Sequence, residues 1–341
     1  TIGFAVCQSA GDFLHRRFCM VKRITFFLMA TVIVLSSSLS VFAQSDPNET
    51  KEDYIKWIDF TPTVAAMKNA LKYDTDTYGQ AVHVSWIELL SLVATQNGGD
   101  FSKYKNSQLK AFAEKLMAGS TPEALCFNPK LYRYYWEAYT AILGGMVGEF
   151  ESVKTDKNGN EIRETAYGLR AFSPIAAGYH YNDYDDFGAS RSYGYKRRHL
   201  GHDIMGSVGT PIVAVESGYV EACGWNQYGG WRIGIRSFDG KRYYYYAHLR
   251  KNHPYNDVYE GKIVNAGEVI GYLGMTGYSA KENVNNIDIP HLHYGLQIIF
   301  DPSQKDGWNQ IWVDMYALTA FLSQNRASVF LSADEKERNS T

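Results

Sequence analysis

The sequence predicts an α+β protein in which a small α-helical domain precedes an antiparallel β-sheet domain, and three observations carry that prediction. Over residues 53–148 apolar side chains recur every three to four positions, the spacing of a helix with one buried face. Over residues 169–302 the period shortens to two and glycines punctuate the short runs, as antiparallel strands with tight turns require. Aromatic residues make up 15% of the 341, with 26 tyrosines, which suits twisted sheets and polar-rimmed grooves better than a leucine-rich bundle.

Each segment has its own justification. Within a helical domain over 50–150, periodic sets such as Val64-Met67-Leu71, Val84-Ile87-Leu90, Leu109-Phe112-Leu116 and Tyr135-Tyr139-Ile142 predict about four helices. Turn chemistry separates them at Asn97-Gly98-Gly99-Asp100, at Gly119-Ser120-Thr121-Pro122 and at Asn128-Pro129. Ser120 and Thr121 are capping residues, and Pro122 fits the first helical turn. Residues 151–168 place Asn158-Gly159 between two alternating stretches, a hairpin that links the helical domain to the β-rich one. The β-rich domain spans 169–302, with strands at 211–220 and 231–236. In it the four consecutive tyrosines 243–246 should alternate faces, two buried and two exposed. Residues 303–341 are expected to form an amphipathic helix over 311–322 and a polar tail over 332–341.

Composition bounds the partners. An apolar fraction of 45% with 21% charge belongs to a globular chain, and a net charge of −2 without long single-sign runs offers no broad surface to nucleic acid or anionic lipid. Lys196-Arg197-Arg198 is a short basic cluster that reads as a solvated loop. At the amino-terminal end, Lys22-Arg23 precede an apolar stretch over 24–39, and Val41-Phe42-Ala43 supplies the small or apolar residues of a cleavage site. Residues 20–43 therefore read as a secretory signal peptide cut after Ala43, with an uncleaved membrane anchor as the alternative. Export to the cell wall, periplasm or exterior follows, with no stable membrane insertion once the signal is removed. Translation is expected to start at Met20, leaving residues 1–19 untranslated or disordered. Cys7 and Cys19 fall in that segment, and Cys126 and Cys223 are expected to be separate thiols rather than a disulfide.

Chemistry concentrates in the β-rich part, where six of the nine histidines lie between residues 199 and 293. In His291-Leu292-His293 the two imidazoles sit two apart before a strand-like run, so both face one side. His199-Leu200-Gly201-His202-Asp203 adds an imidazole and a carboxylate four residues apart, with Gly201 allowing a sharp turn. Together with one histidine of the pair they make two nitrogen ligands and one oxygen ligand, leaving the fourth tetrahedral position for water, as in catalytic zinc. Tyr246-Ala247-His248-Leu249 brings a third element, a histidine suited to holding or moving a proton beside such a site.

The order His199-x-x-x-Asp203, Tyr246-x-His248-Leu249 and Pro290-His291-Leu292-His293 resembles the lysostaphin-type zinc endopeptidases, also called murein or glycyl-glycine endopeptidases. The turns around Gly209, Gly218, Gly261, Gly267, Gly271, Gly274 and Gly277 match as well, so the resemblance covers about residues 190–302. It implies a lysostaphin-like metallopeptidase domain holding one Zn2+ on His199, Asp203 and His293. His248 and His291 would position or deprotonate the nucleophilic water and stabilise the tetrahedral intermediate. Tyr193 is a candidate phenol donor to the oxyanion. The implied substrate is a peptide bond in the stem or cross-bridge of peptidoglycan, with a non-catalytic cell-wall binding or scaffold protein as the alternative. No role is expected for His83, His180, His202 or His253, and Asn182, Asp183, Tyr184, Asp185 and Asp186 read as a solvated acidic loop.

Overall fold

The computed structural model describes residues 54–307, 309–331 and 338–340; the expected signal peptide, the segment before it, Cys7, Cys19 and most of the polar tail lie outside the described residues. The first layer is helical: α1 (Val64–Thr77), α2 (Trp86–Asn97), α3 (Asn106–Met117), the single turn α4 (Pro122–Leu125) and α5 (Pro129–Leu143). The breaks after α2, after α3 and before α5 fall at the expected turns, and the break between α1 and α2 falls at residues 78–85, outside the turns expected. Thr63, Ser85, Thr121 and Asn128 accept from backbone amides at helix starts, and Gly98 closes α2 with φ +65°, a conformation open to glycine without a steric penalty.

A hairpin comes next, β1 (Val147–Thr155) against β2 (Glu161–Leu169), somewhat longer than expected at both ends. Its turn is held by the Asp156 carboxylate, which accepts from the amides of Asn158 and Asn160.

The remaining strands are β3 (Tyr181–Asp183), β4 (Ser190–Arg191), β5 (Arg197–Arg198), β6 (His202–Gly206), β7 (Pro211–Val213), β8 (Gly218–Asn226) and β9 (Gly230–Ser237), followed by β10 (Arg242–Ala247), β11 (Ile263–Val264), β12 (Val269–Tyr272) and β13 (His291–Ile298). The main sheet is antiparallel in the order β11-β8-β9-β10-β13-β6-β3. Tyr244 and Tyr246 are fully buried in the core behind it, whereas Tyr243 and Tyr245 take the opposite face and are half-buried rather than exposed. The tyrosine alternation thus holds, and the second face is itself a lined groove.

Residues 311–322 are not one helix. Ile311–Val313 forms β14 beside β13, and only Tyr316–Leu322 is helical, as α6. Pairing of Ile311 and Val313 with Ile298 and Leu296 outweighs the helical period, and the Asp314 carboxylate accepts from the Tyr316 amide at the switch. The α6 helix returns to the helical layer, where Phe321 stacks on Trp86 with ring centroids 6.0 Å apart. Beyond it, β15 (Val329–Leu331) pairs with β16 (Arg338–Ser340), so part of the expected tail is a strand.

Helices and sheet share one buried core that runs from Ile58 to Leu322. A buried ion pair ties them. Arg242, 1% exposed, donates to both Glu216 oxygens at 2.7 and 3.0 Å and to the Ala141 carbonyl of α5 at 2.7 Å. Tyr244 completes the set by donating to Glu216 at 2.7 Å. No helix among the described residues is long and apolar enough to cross a membrane.

Candidate metal centre

Three neighbouring strands carry the site, with β13 in the middle. Register pairs His293 with Asp203 on β6 and with Ala247 on β10, and directly opposed residues of antiparallel strands point to the same face. His291 lies two residues earlier on that face. His199 arrives from the loop before β6, which must fold back over β13. Gly201 makes this possible: a Cβ there would lie 2.5 Å from the Tyr294 carbonyl oxygen and 2.9 Å from the His293 ring.

His199, Asp203 and His293 bring one ligand-type atom each to within 4.8 Å of one another. His199 Nε2 is 2.7 Å from His293 Nδ1 and 3.1 Å from Asp203 Oδ1, and His293 Nδ1 is 3.3 Å from the same oxygen. A tetrahedral zinc with ligands at 2.0–2.1 Å sets its donors about 3.3 Å apart, so this triangle matches one ion's coordination shell. The donor set is two imidazole nitrogens and one carboxylate oxygen, the choice of zinc over calcium or magnesium. Burial pushes His293 down to about 4, a fall only partly offset by Asp203. Burial also works against the Asp203 charge, but hydrogen bonds with His199 and His293 hold its carboxyl below the usual range. Neutral imidazole and ionised carboxylate are the protonation states a metal requires.

Behind the donors stands a second layer invisible to motif spacing. Arg191 Nη2 lies 2.9 Å from Asp203 Oδ2, 2.5 Å from Asp186 Oδ2 and 3.1 Å from His199 Nδ1. Asp186, expected in a solvated loop, accepts from the Asp203 amide through its side chain and lies 3.1 Å from His199 Nδ1 through its carbonyl. Arg191 thus occupies the Asp203 oxygen turned away from the donor triangle and leaves Oδ1 to it.

His248 and His291 flank the triangle with ring centroids 4.8 Å apart. Each ring places Nδ1 2.8 Å from a backbone carbonyl, His248 from Thr276 and His291 from Ile289. A carbonyl only accepts, so Nδ1 carries the proton in both, and Nε2 is left for the site. For His291 that nitrogen is 3.7 Å from Asp203 Oδ1. Burial, then the charges of His291 and His293, keep His248 well below the ordinary histidine range, hence neutral at pH 7. Its backbone is left-handed, φ +62°, and Gly277 packs against it so closely that a Cβ would lie 3.0 Å from Nδ1.

The cavity over these groups, about 150 Å3, is walled by Tyr228, Tyr245 and Tyr278, with Arg197 and Arg198 on its rim. Tyr193 is not among the residues lining it. It is 40% exposed and stacks on Tyr278 at 4.6 Å, one ring behind the wall. His202 points away into the core, 3.1 Å from Asp183, and Cys126 and Cys223 are unpaired, as expected. His83, for which no functional role was expected, has its Nε2 2.9 Å from buried Asp74, nine residues earlier, and Tyr167 donates to the same oxygen at 2.7 Å.

Residues 197–306 match Peptidase family M23. The chain is 36% identical over 188 residues to an L-Ala--D-Glu endopeptidase of Bacillus subtilis, covering 55% of this chain and 53% of that protein. It is 41% identical over 97 residues to lysostaphin of Staphylococcus staphylolyticus, 28% of this chain and 18% of that one. The chain thus spans about half or less of the length of these relatives. Among solved structures, the lytM chain of Ruminococcus gnavus superimposes with a TM-score of 0.51 at 20% identity, covering 80% of this chain and 92% of that one. That likeness extends the shared fold beyond the sheet into the helical layer.

Proposed function

We propose that this chain, whose residues 197–306 match Peptidase family M23, is an exported zinc endopeptidase that hydrolyses peptide bonds in the stem or cross-bridge of peptidoglycan. One observation carries this reading: two imidazoles and a carboxylate converge on one point, beside two more imidazoles whose Nδ1 protons are already engaged. His199 Nε2, Asp203 Oδ1 and His293 Nδ1 would hold one zinc ion. When bound, zinc supplies Lewis-acid chemistry, lowering the pKa of water to about 7 and polarising a peptide carbonyl.

The protein's own groups do the rest. His248 Nε2, neutral and buried, accepts a proton from the attacking water. His291 Nε2, next to Asp203, exchanges the proton that must reach the leaving amine. Two positioned imidazoles of this kind contribute roughly 10²- to 10⁴-fold. Tyr278 lines the cavity and is the better placed phenol to donate to the oxyanion, with Tyr193 supporting its ring from the rim. Arg191 holds Asp203 so that one oxygen faces the donor triangle. The half-buried face carrying Tyr243 and Tyr245 offers an extended peptide a groove along the sheet.

The apolar stretch over 24–39 supports export, the name of the Bacillus relative supports a peptide bond as the target, and a further relative, the peptidoglycan DD-endopeptidase ShyC of Vibrio cholerae, 36% identical over 101 residues, supports peptidoglycan as the substrate. The test is incubation of the purified protein with peptidoglycan, with and without a chelator, followed by mass analysis of the released fragments. New amine termini that disappear on chelation are expected. Tight wall binding with no release from the zinc-loaded protein would favour a scaffold instead.

A further inference from the structure

A second groove opens from the metal cavity and shares three of its walls, Leu200, Tyr245 and His293. It encloses about 400 Å3 and continues past Tyr243 and Trp312 to Arg232. The sheet register explains why Arg232 belongs there. Asp203 pairs with His293, His293 pairs with Ala247, and the β9–β10 pairing of Ile233 with Tyr246 sets Arg232 opposite Ala247. These residues form one row across four strands on one face. Ala247 itself is fully buried, and the groove connects the guanidinium to the metal donors past the Tyr245 ring, which lines both cavities. Two strand spacings put the Arg232 backbone roughly 10 Å from that of His293.

Arg232 shares this groove with the carboxylates of Glu221 and Asp306 but pairs with neither. Among the described residues its side chain makes no hydrogen bond or ion pair, and its buried Nε is unsatisfied. The neighbouring cations are engaged: Lys305 and Arg236 both pair with Glu221. Arg197 donates to the Tyr193 carbonyl and to the Tyr278 hydroxyl. A buried guanidinium Nε left without an acceptor is unfavourable, and the planar fork it belongs to matches a carboxylate.

We propose that Arg232 is a specificity-determining residue that binds a free carboxylate on the substrate, carried within about two residues of the bond that is cut. An extended chain advances about 3.3–3.6 Å per residue, so the distance across the row allows no greater separation once the arginine side chain has reached inward. The substrate class is then an acidic peptide, such as one with a glutamyl residue whose second carboxyl is free, and not a glycine-only bridge. This inference rests on the peptidase function proposed above.

The experiment uses the zinc-loaded protein and three synthetic peptides: an alanyl-glutamyl peptide with a free side carboxylate, the same peptide with that group as a carboxamide, and pentaglycine. Wild type should cleave the carboxylate peptide about 10- to 100-fold more efficiently in kcat/KM than the carboxamide, the range for a charged hydrogen bond. In Arg232→Gln that ratio should fall toward one, and Arg232→Lys should restore part of it. Equal cleavage of carboxylate and carboxamide by wild type, or preference for pentaglycine, overturns the carboxylate site while leaving the peptidase intact. Cleavage of none of the three while purified peptidoglycan is cut also overturns it; silence toward every substrate counts against the peptidase function itself.

Discussion

Replacing Gly201 by alanine should disable metal binding while leaving every ligand in place. The added Cβ would sit 2.5 Å from the Tyr294 carbonyl oxygen and 2.9 and 3.0 Å from two atoms of the His293 ring, where ordinary contact begins near 3.4 Å. The backbone oxygen is fixed in the β6–β13 ladder, where Tyr294 pairs with His202. Relief therefore comes from lifting the loop that carries His199 or turning His293, each by several tenths of an ångström. Metal–ligand distances tolerate only about 0.2 Å. Loss of zinc affinity of at least 10- to 100-fold is expected, the scale seen when a supporting group is removed. Overpacking should also destabilise the fold by about 1–3 kcal/mol, a fall of a few degrees in Tm. Competition against a chromophoric chelator measures the first effect and thermal unfolding the second. A Gly201→Ala protein that binds zinc within twofold of wild type and melts unchanged would refute the close approach of this loop to His293.

Other perturbations separate the parts of the structure. Arg242→Ala strands buried Glu216 and frees the Ala141 carbonyl, so it should cost about 3–5 kcal/mol, whereas replacing Arg242 and Glu216 together by apolar residues should cost less; denaturant midpoints compare the two. Arg191→Met should weaken zinc roughly 10- to 100-fold by releasing Asp203 Oδ2, read by the same chelator competition, and unchanged affinity would remove Arg191 from the site. Tyr278→Phe should lower kcat more than Tyr193→Phe does, since only Tyr278 lines the cavity; the reverse order would restore Tyr193 as the oxyanion donor.

Local chemistry was readable from the sequence where it depended on neighbours in the chain. Helix breaks at Gly98, Pro122 and Pro129 and the turn at Asn158-Gly159 arise from residues that bend or cap in any context. The imidazoles of His291 and His293 share a face because a strand alternates. What escaped depends on partners distant in sequence. Asp314 divides an apolar run of helical period because β13 offered Ile311 and Val313 a ladder, which no window over 311–322 contains. His83, in the connection after α1, finds Asp74 on that helix, and Arg191 on β4 finds Asp203 on β6 and Asp186 in the preceding loop only once these segments converge. Arg232 could have been suspected only from the register, since a lone arginine in a strand has no motif. Tyr193, chosen by its nearness to His199 in sequence, yields the wall to Tyr278, which lies 85 positions later.

The division of labour among the five central residues is tested most directly by measuring bound zinc and released amine termini in parallel for His293→Ala and His248→Ala. His293→Ala should lose the metal and, with it, activity. His248→Ala should retain one zinc per chain yet release no amine from peptidoglycan. Zinc retained at full occupancy in His293→Ala, or turnover undiminished in His248→Ala, would contradict the assignment of ligand and proton-transfer roles.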